Sequence, residues 1–143
     1  QRGLHMDIRF VIAPMIAQAL MTLCILFLLA YRRYQAVKAK EVKVLNEAAS
    51  QYEWPRFAAQ TQRSFLNQFE TPVLFYALVP LVILTKTYDT LFVVLAWAWF
   101  ASRLGHAWVH CTNNALSLRF PLFLVGVILL VAMWIMFAIR LAA

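Results

Sequence analysis

The chain has little charge and very little glycine. Only 13% of its 143 residues are charged, against 64% hydrophobic, about half the charged share of an ordinary soluble domain. Three glycines and five prolines exclude a collagen-like or low-complexity chain, and the apolar content excludes intrinsic disorder. Cysteine is nearly absent. Cys24 lies inside an apolar run and Cys111 beside His110, so neither a disulfide framework nor a cysteine-based zinc site fits. There is no GxSxG elbow and neither thiol has an activating base with an orienting group, which argues against covalent catalysis by the protein's own side chains. Three histidines, one of them His5, are too few for a membrane di-iron centre.

What the chain does have is long uncharged runs. Phe10 to Tyr31 is 22 residues without a charge, and about 20 cross the hydrocarbon core as a helix. The run is longer than the apolar centre of a secretory signal and no small-residue cleavage motif follows it, so it is expected to remain as a span. Further spans are expected at about 64–85, 90–111 and 120–139, the last closed by Arg140. The expected fold is therefore all-α, an integral membrane four-helix bundle forming one domain over 1–143. Residues 1–5 read as a remnant ahead of a start at Met6. The second and third spans are joined only by 86–89 and are expected to form a tight antiparallel hairpin. The first and second are separated by the polar loop 32–63, where the first helix is expected to run past Arg32 and Arg33 before Trp54 and Pro55 turn the chain back.

Basic residues outnumber acidic ones, 13 to 6. Seven of the 13 lie in 32–63, and with Arg103 and Arg119 that side holds nine, against four on the other: Arg2, Arg9, Lys86 and Arg140. The positive-inside rule then puts the basic loop in the cytoplasm and both termini outside. Basic residues at a membrane boundary attract anionic lipid, and no recognition motif accompanies them, so nucleic acid is not an expected partner.

The informative residues are the ionisable ones at membrane depth. Arg63, Asn67 and Glu70, spaced i, i+4 and i+7, form one stripe on the second helix, and Arg103, His106 and His110, spaced i, i+3 and i+7, form another on the third. Such groups cost at least a few kcal/mol unless they are paired or face a polar cavity. Both stripes fall at the cytoplasmic ends of their helices, level with Arg119 at the start of the fourth. Glu70, more than a turn into its span, calls for a cationic partner. His106 and His110 with Glu70 offer a single zinc site as an alternative, though no metal is expected. Taken together, the set suits a small zwitterion: guanidinium groups for carboxylates, Glu70 for an ammonium, Asn67 for an amide.

Arg63, Asn67, Glu70 and Pro72 resemble the second-helix motif of the MAPEG superfamily, the membrane-associated proteins of eicosanoid and glutathione metabolism. Arg103, His106 and His110 are similar to the third-helix motif of microsomal prostaglandin E synthase, and Arg119 falls at the spacing of the family's thiol-activating arginine. Arg32 and Arg33 occupy the place of a basic pair that ends the first helix. The likeness covers most of 10–139 and looks like that of a prokaryotic member in a bacterial inner membrane. It implies a homotrimer that holds glutathione as co-substrate between subunits. Glu70 would take the amino group of glutathione. Asn67 and His106 would hold its backbone and carboxylate, with Arg63, Arg103, His110, Arg32 and Arg33 in the same binding set. Arg119 would be the catalytic residue that stabilises the thiolate.

Some positions depart from that pattern. His110 stands where the family has a tyrosine, Phe123 where an aromatic hydroxyl is often found, and Phe120 and Leu66 where the prostaglandin enzyme has serine and arginine. The implied activity is a glutathione-dependent transferase or peroxidase acting on hydrophobic electrophiles or lipid peroxides. The alternatives are a non-catalytic lipid-binding or structural member, or an accessory subunit of a larger complex.

Overall fold

A computed structural model describes residues 6–143; the expectation for 1–5 lies outside the described residues. The protein is an all-α integral membrane four-helix bundle with one small hairpin. Helix α1, Ile8–Lys38, is 31 residues long. Asp7 starts it as the N-cap, its carboxylate accepting from the Arg9 N–H at 2.9 Å. Strands β1, Lys43–Asn46, and β2, Gln51–Glu53, pair antiparallel with an irregularity between Val44 and Asn46. Helices α2, Arg56–Asn67, and α3, Thr71–Leu84, together make the second transmembrane unit. Helices α4, Thr90–Cys111, and α5, Leu116–Ala142, complete the bundle.

Three of the four units, Ile8–Lys38, Arg56–Leu84 and Leu116–Ala142, are long and apolar enough to cross a membrane. Helix α4 is less apolar on average, because it buries Ser102, Arg103, His106 and His110. At 22 residues it is nonetheless about 33 Å long, and its outer face shows Leu91, Val94, Leu104 and Trp108. Polar groups inside and apolar groups outside is the arrangement a membrane bundle requires.

Two expectations are corrected. The second helix is not continuous over 64–85: it stops at Asn67 and restarts at Thr71. Pro72 explains the break, since it has no N–H for the carbonyl four residues back and its ring crowds that carbonyl. Nor do α3 and α4 form the tight hairpin expected from their short connection: α4 packs most extensively on α5 instead. Large aromatics separate α3 from α4, with Phe75 stacked on Trp99 at 4.1 Å between ring centroids. Gly126 lets α5 approach α4, where an added Cβ would stand 2.8 Å from Ser102 Oγ. Such small-residue contacts drive helix association in lipid.

The segment 32–63 also holds more structure than a loop. Arg32 donates to Thr61 Oγ1 at 2.6 Å and to the Phe57 carbonyl at 3.3 Å. Arg33 donates to Gln62 Oε1 at 2.7 Å and lies 4.8 Å over the Trp54 ring. These contacts clamp the end of α1 to α2, with the hairpin between them.

Candidate functional site

The end of α2, the α2–α3 break, α4 and the start of α5 border an open cavity of about 360 Å³. Arg63, Asn67, Glu70, His106, His110 and Arg119 supply its polar wall, and Leu116, Phe120 and Phe123 its apolar wall. Six residues from the two stripes and the head of the fourth span thus meet in one place. They do so although Glu70 lies beyond the end of α2; the break, rather than a continuous helical stripe, carries it there.

Arg103 is not part of the lining. It is 1% exposed and stands behind the wall. Its Nη2 donates to Asn67 Oδ1 and, at 3.4 Å, to the Asn67 carbonyl. Asn67 Nδ2 in turn donates to Glu70 Oε2 at 2.8 Å. The expected cation for Glu70 is therefore reached through an amide: Arg103 holds Asn67, and Asn67 holds Glu70. Among the described residues Glu70 forms no direct salt bridge. Arg103 also lies 6.0 Å from the centroid of the Phe123 ring.

His106 and His110 pack edge to face with ring centroids 5.6 Å apart. Both are buried, and His106 Nδ1 and both nitrogens of His110 have no hydrogen-bond partner among the described residues. Buried polar atoms of that kind are costly unless water or a ligand satisfies them. No three His, Cys, Asp or Glu side chains among the described residues come together as a metal cluster. Arg119 donates to Asn114 Oδ1 at 2.5 Å, which holds its guanidinium at the cavity edge.

Arg32 and Arg33 lie elsewhere, in the α1–α2 clamp, and do not line this cavity within the chain. Arg63, Glu70, Leu116 and Phe120 are exposed, so the cavity is open to one side of the bundle.

The family model for MAPEG matches residues 11–139, all four transmembrane units. The chain belongs to the MAPEG family. No curated protein matches it significantly. The cavity of this MAPEG protein thus occupies the matched region and is built from all the ionisable residues that stand out at membrane depth in its second and third units, Arg103 serving from behind.

The sequence reading missed three contributors. Asn114 orients Arg119 from the turn before α5, Leu116 lines the cavity, and Gln68 closes the α2–α3 break. Only Gln68 carried a signal, as the residue four before Pro72, where a helix loses its hydrogen bond.

Proposed function

We propose that the protein is a glutathione-dependent membrane transferase or peroxidase acting on hydrophobic electrophiles or lipid peroxides. The observation that carries this reading is the charge pattern of the cavity: Arg63 and Arg119 against Glu70, with unpartnered His106 and His110 nitrogens between. Glutathione has two carboxylates, one ammonium and amide groups, so its charges complement that wall. Arg63 and the imidazoles suit the carboxylates and peptide groups, and Glu70 suits the ammonium. Glutathione supplies the thiol: its sulfur bonds to an electrophilic carbon by addition or by displacing a leaving group, or takes a peroxide oxygen as the O–O bond breaks and alcohol leaves, the resulting sulfenic acid being reduced by a second glutathione to disulfide and water. Arg119 places a guanidinium in a low-dielectric wall, where positive charge favours a thiolate over a thiol. Phe120, Phe123 and Leu116 give the apolar reactant a surface continuous with the lipid.

In this reading the cavity's open side is closed by a neighbouring subunit of a homotrimer, and Arg32 and Arg33 reach the bound tripeptide from that neighbour. The third-helix triplet Arg103, His106 and His110 groups the protein with prokaryotic members bearing a motif like that of microsomal prostaglandin E synthase. The basic segment 32–63 faces the cytoplasm of a bacterial inner membrane, with both termini outside. Stopped-flow absorbance tests the assignment: adding millimolar glutathione to the solubilised protein is expected to give a thiolate signal, and its absence rejects the thiol chemistry.

A second reading is favoured by one observation, that Phe120 and Phe123 face the cavity without hydroxyls. It is a non-catalytic member that holds a lipid there, alone or as an accessory subunit. Native mass spectrometry separates the two, through a retained phospholipid rather than a glutathione adduct.

A further inference from the structure

The α2–α3 break has a second set of contacts, facing α1 rather than the cavity. Across the break the backbone bonds tighten from i−4 to i−3. The Gln68 N–H donates to the Phe65 carbonyl at 3.0 Å, Phe69 to Leu66 at 3.0 Å and Glu70 to Asn67 at 3.4 Å. The Ser64 carbonyl thereby loses its backbone donor, and the Gln68 side chain replaces it, Nε2 donating at 3.0 Å. The oxygen of that same amide accepts from Gln18 Nε2 on α1 at 3.0 Å.

Gln18 is 0% exposed and Gln68 1%. An amide buried at this depth costs free energy unless it is hydrogen-bonded, and neither residue lines the cavity. The residue before Gln68 is Asn67, which Arg103 grips by side chain and carbonyl, and two residues beyond it is Glu70. The three-residue break is thus held from two sides, by Arg103 on α4 and by Gln18 on α1.

We propose that Gln18 is a positioning residue: acting through Gln68, it pins the α2–α3 break and so sets Asn67, and through it Glu70, for binding of the glutathione amino group by Glu70. The link to binding rests on the glutathione reading of the cavity; the pinning of the break does not. A merely adhesive role, in which the two amides hold α1 to α2, makes a different prediction. Loss of adhesion loosens α1 against the whole bundle, whereas loss of positioning loosens the break and weakens one ligand.

The test uses the full chain in detergent with Gln18→Met, which keeps the side chain's length and removes its amide. Hydrogen–deuterium exchange is read at the amides of 68–70, and glutathione affinity by calorimetry. Exchange at 68–70 is expected to rise roughly fivefold to tenfold, about what one buried hydrogen bond is worth, with α4 and α5 still protected. The glutathione Kd is expected to rise by a similar factor, while turnover at saturating glutathione is kept. Gln68→Met, which also uncovers the Ser64 carbonyl, is expected to act in the same direction and more strongly, and it serves if Gln18→Met does not fold. Unchanged exchange at 68–70, or faster exchange spread over the whole bundle, overturns the positioning role. Faster exchange at the break with an unchanged Kd overturns its link to the ligand. If the unsubstituted protein does not bind glutathione, the reading of the cavity fails, and the exchange pattern still decides whether Gln18 holds the break.

Discussion

The two ends of the bundle treat arginine in opposite ways. At the end where α1 starts and α5 finishes, Arg140 is paired and hydrogen-bonded. Its Nη2 donates to Asp89 Oδ2 at 2.6 Å, and its Nη1 to Asp89 Oδ1 at 3.0 Å and to the Thr87 carbonyl at 2.9 Å. Asp89 also caps α4, accepting from the Phe92 N–H at 2.9 Å. At the other end Arg63, Arg119 and Glu70 share a cavity with no ion pair between them among the described residues, where His106 Nδ1 and both His110 nitrogens likewise have no partner. Both ends bring arginine and a carboxylate together, so the presence of those two groups does not separate them. The difference is closure: the Asp89 carboxylate is paired to its arginine across a turn, whereas Glu70 is held off Arg103 by the intervening Asn67 amide and forms no ion pair among the described residues.

The sharpest way to break this comparison is Arg119→Ala. If the open end does thiol chemistry, turnover is expected to fall by about 100-fold, the usual cost of one preorganised charge donor, and the stopped-flow thiolate signal to vanish. Unchanged turnover removes Arg119 from the chemistry. Glu70→Gln is the next largest: it keeps an acceptor for Asn67 but removes the charge. Calorimetry is expected to show glutathione affinity about tenfold weaker, the size of one charge-assisted hydrogen bond, with an unchanged melting temperature.

Between the two ends, Gly126→Ala tests the α4–α5 contact. The new Cβ meets Ser102 Oγ, which now donates to the Trp99 carbonyl at 2.7 Å. Rotating that hydroxyl away is expected to cost about 1 kcal/mol, visible in thermal melts in detergent.

The smallest effect belongs to the closed end. Burial at the turn works to raise the Asp89 pKa, but the Arg140 hydrogen bond, the Phe92 N–H and the Arg140 charge outweigh it and hold the carboxyl below its ordinary 3.8. A depressed carboxyl contributes stability above its unfolded pKa and loses it as pH falls through the folded one. Asp89→Asn is therefore expected to lower the melting temperature slightly at neutral pH and to match the unsubstituted protein in strong acid. Because the side chains are 28% and 46% exposed, the effect stays within about 1 kcal/mol. Glutathione affinity is expected to be unaffected; a change there would mean that the two ends are coupled.

Much of this was legible beforehand, for reasons particular residues make plain. Phe10 to Tyr31 has to span lipid because no charge interrupts it, and Arg63, Asn67, Glu70, His106, His110 and Arg119 stood out because lipid penalises them. The position of Arg103 behind the wall was not legible, since spacing on a helix gives a face but not which neighbour a long side chain reaches. Gln18 was visible as the sole amide in the first run, yet an average over 22 residues conceals one amide. The hairpin escaped because only seven residues form it, with little apolar alternation.

The chain's residue order by itself determined the number of transmembrane units and which few groups lipid would force inward, because each depends on local transfer free energy. Only the tertiary structure decided which of those groups pair and which stay open. Arg140 reaches Asp89 across 51 positions, Arg103 reaches Asn67 across 36 and Gln18 reaches Gln68 across 50. Contacts between helices depend on close approach at Gly126 and on the break before Pro72, and no single segment contains that geometry.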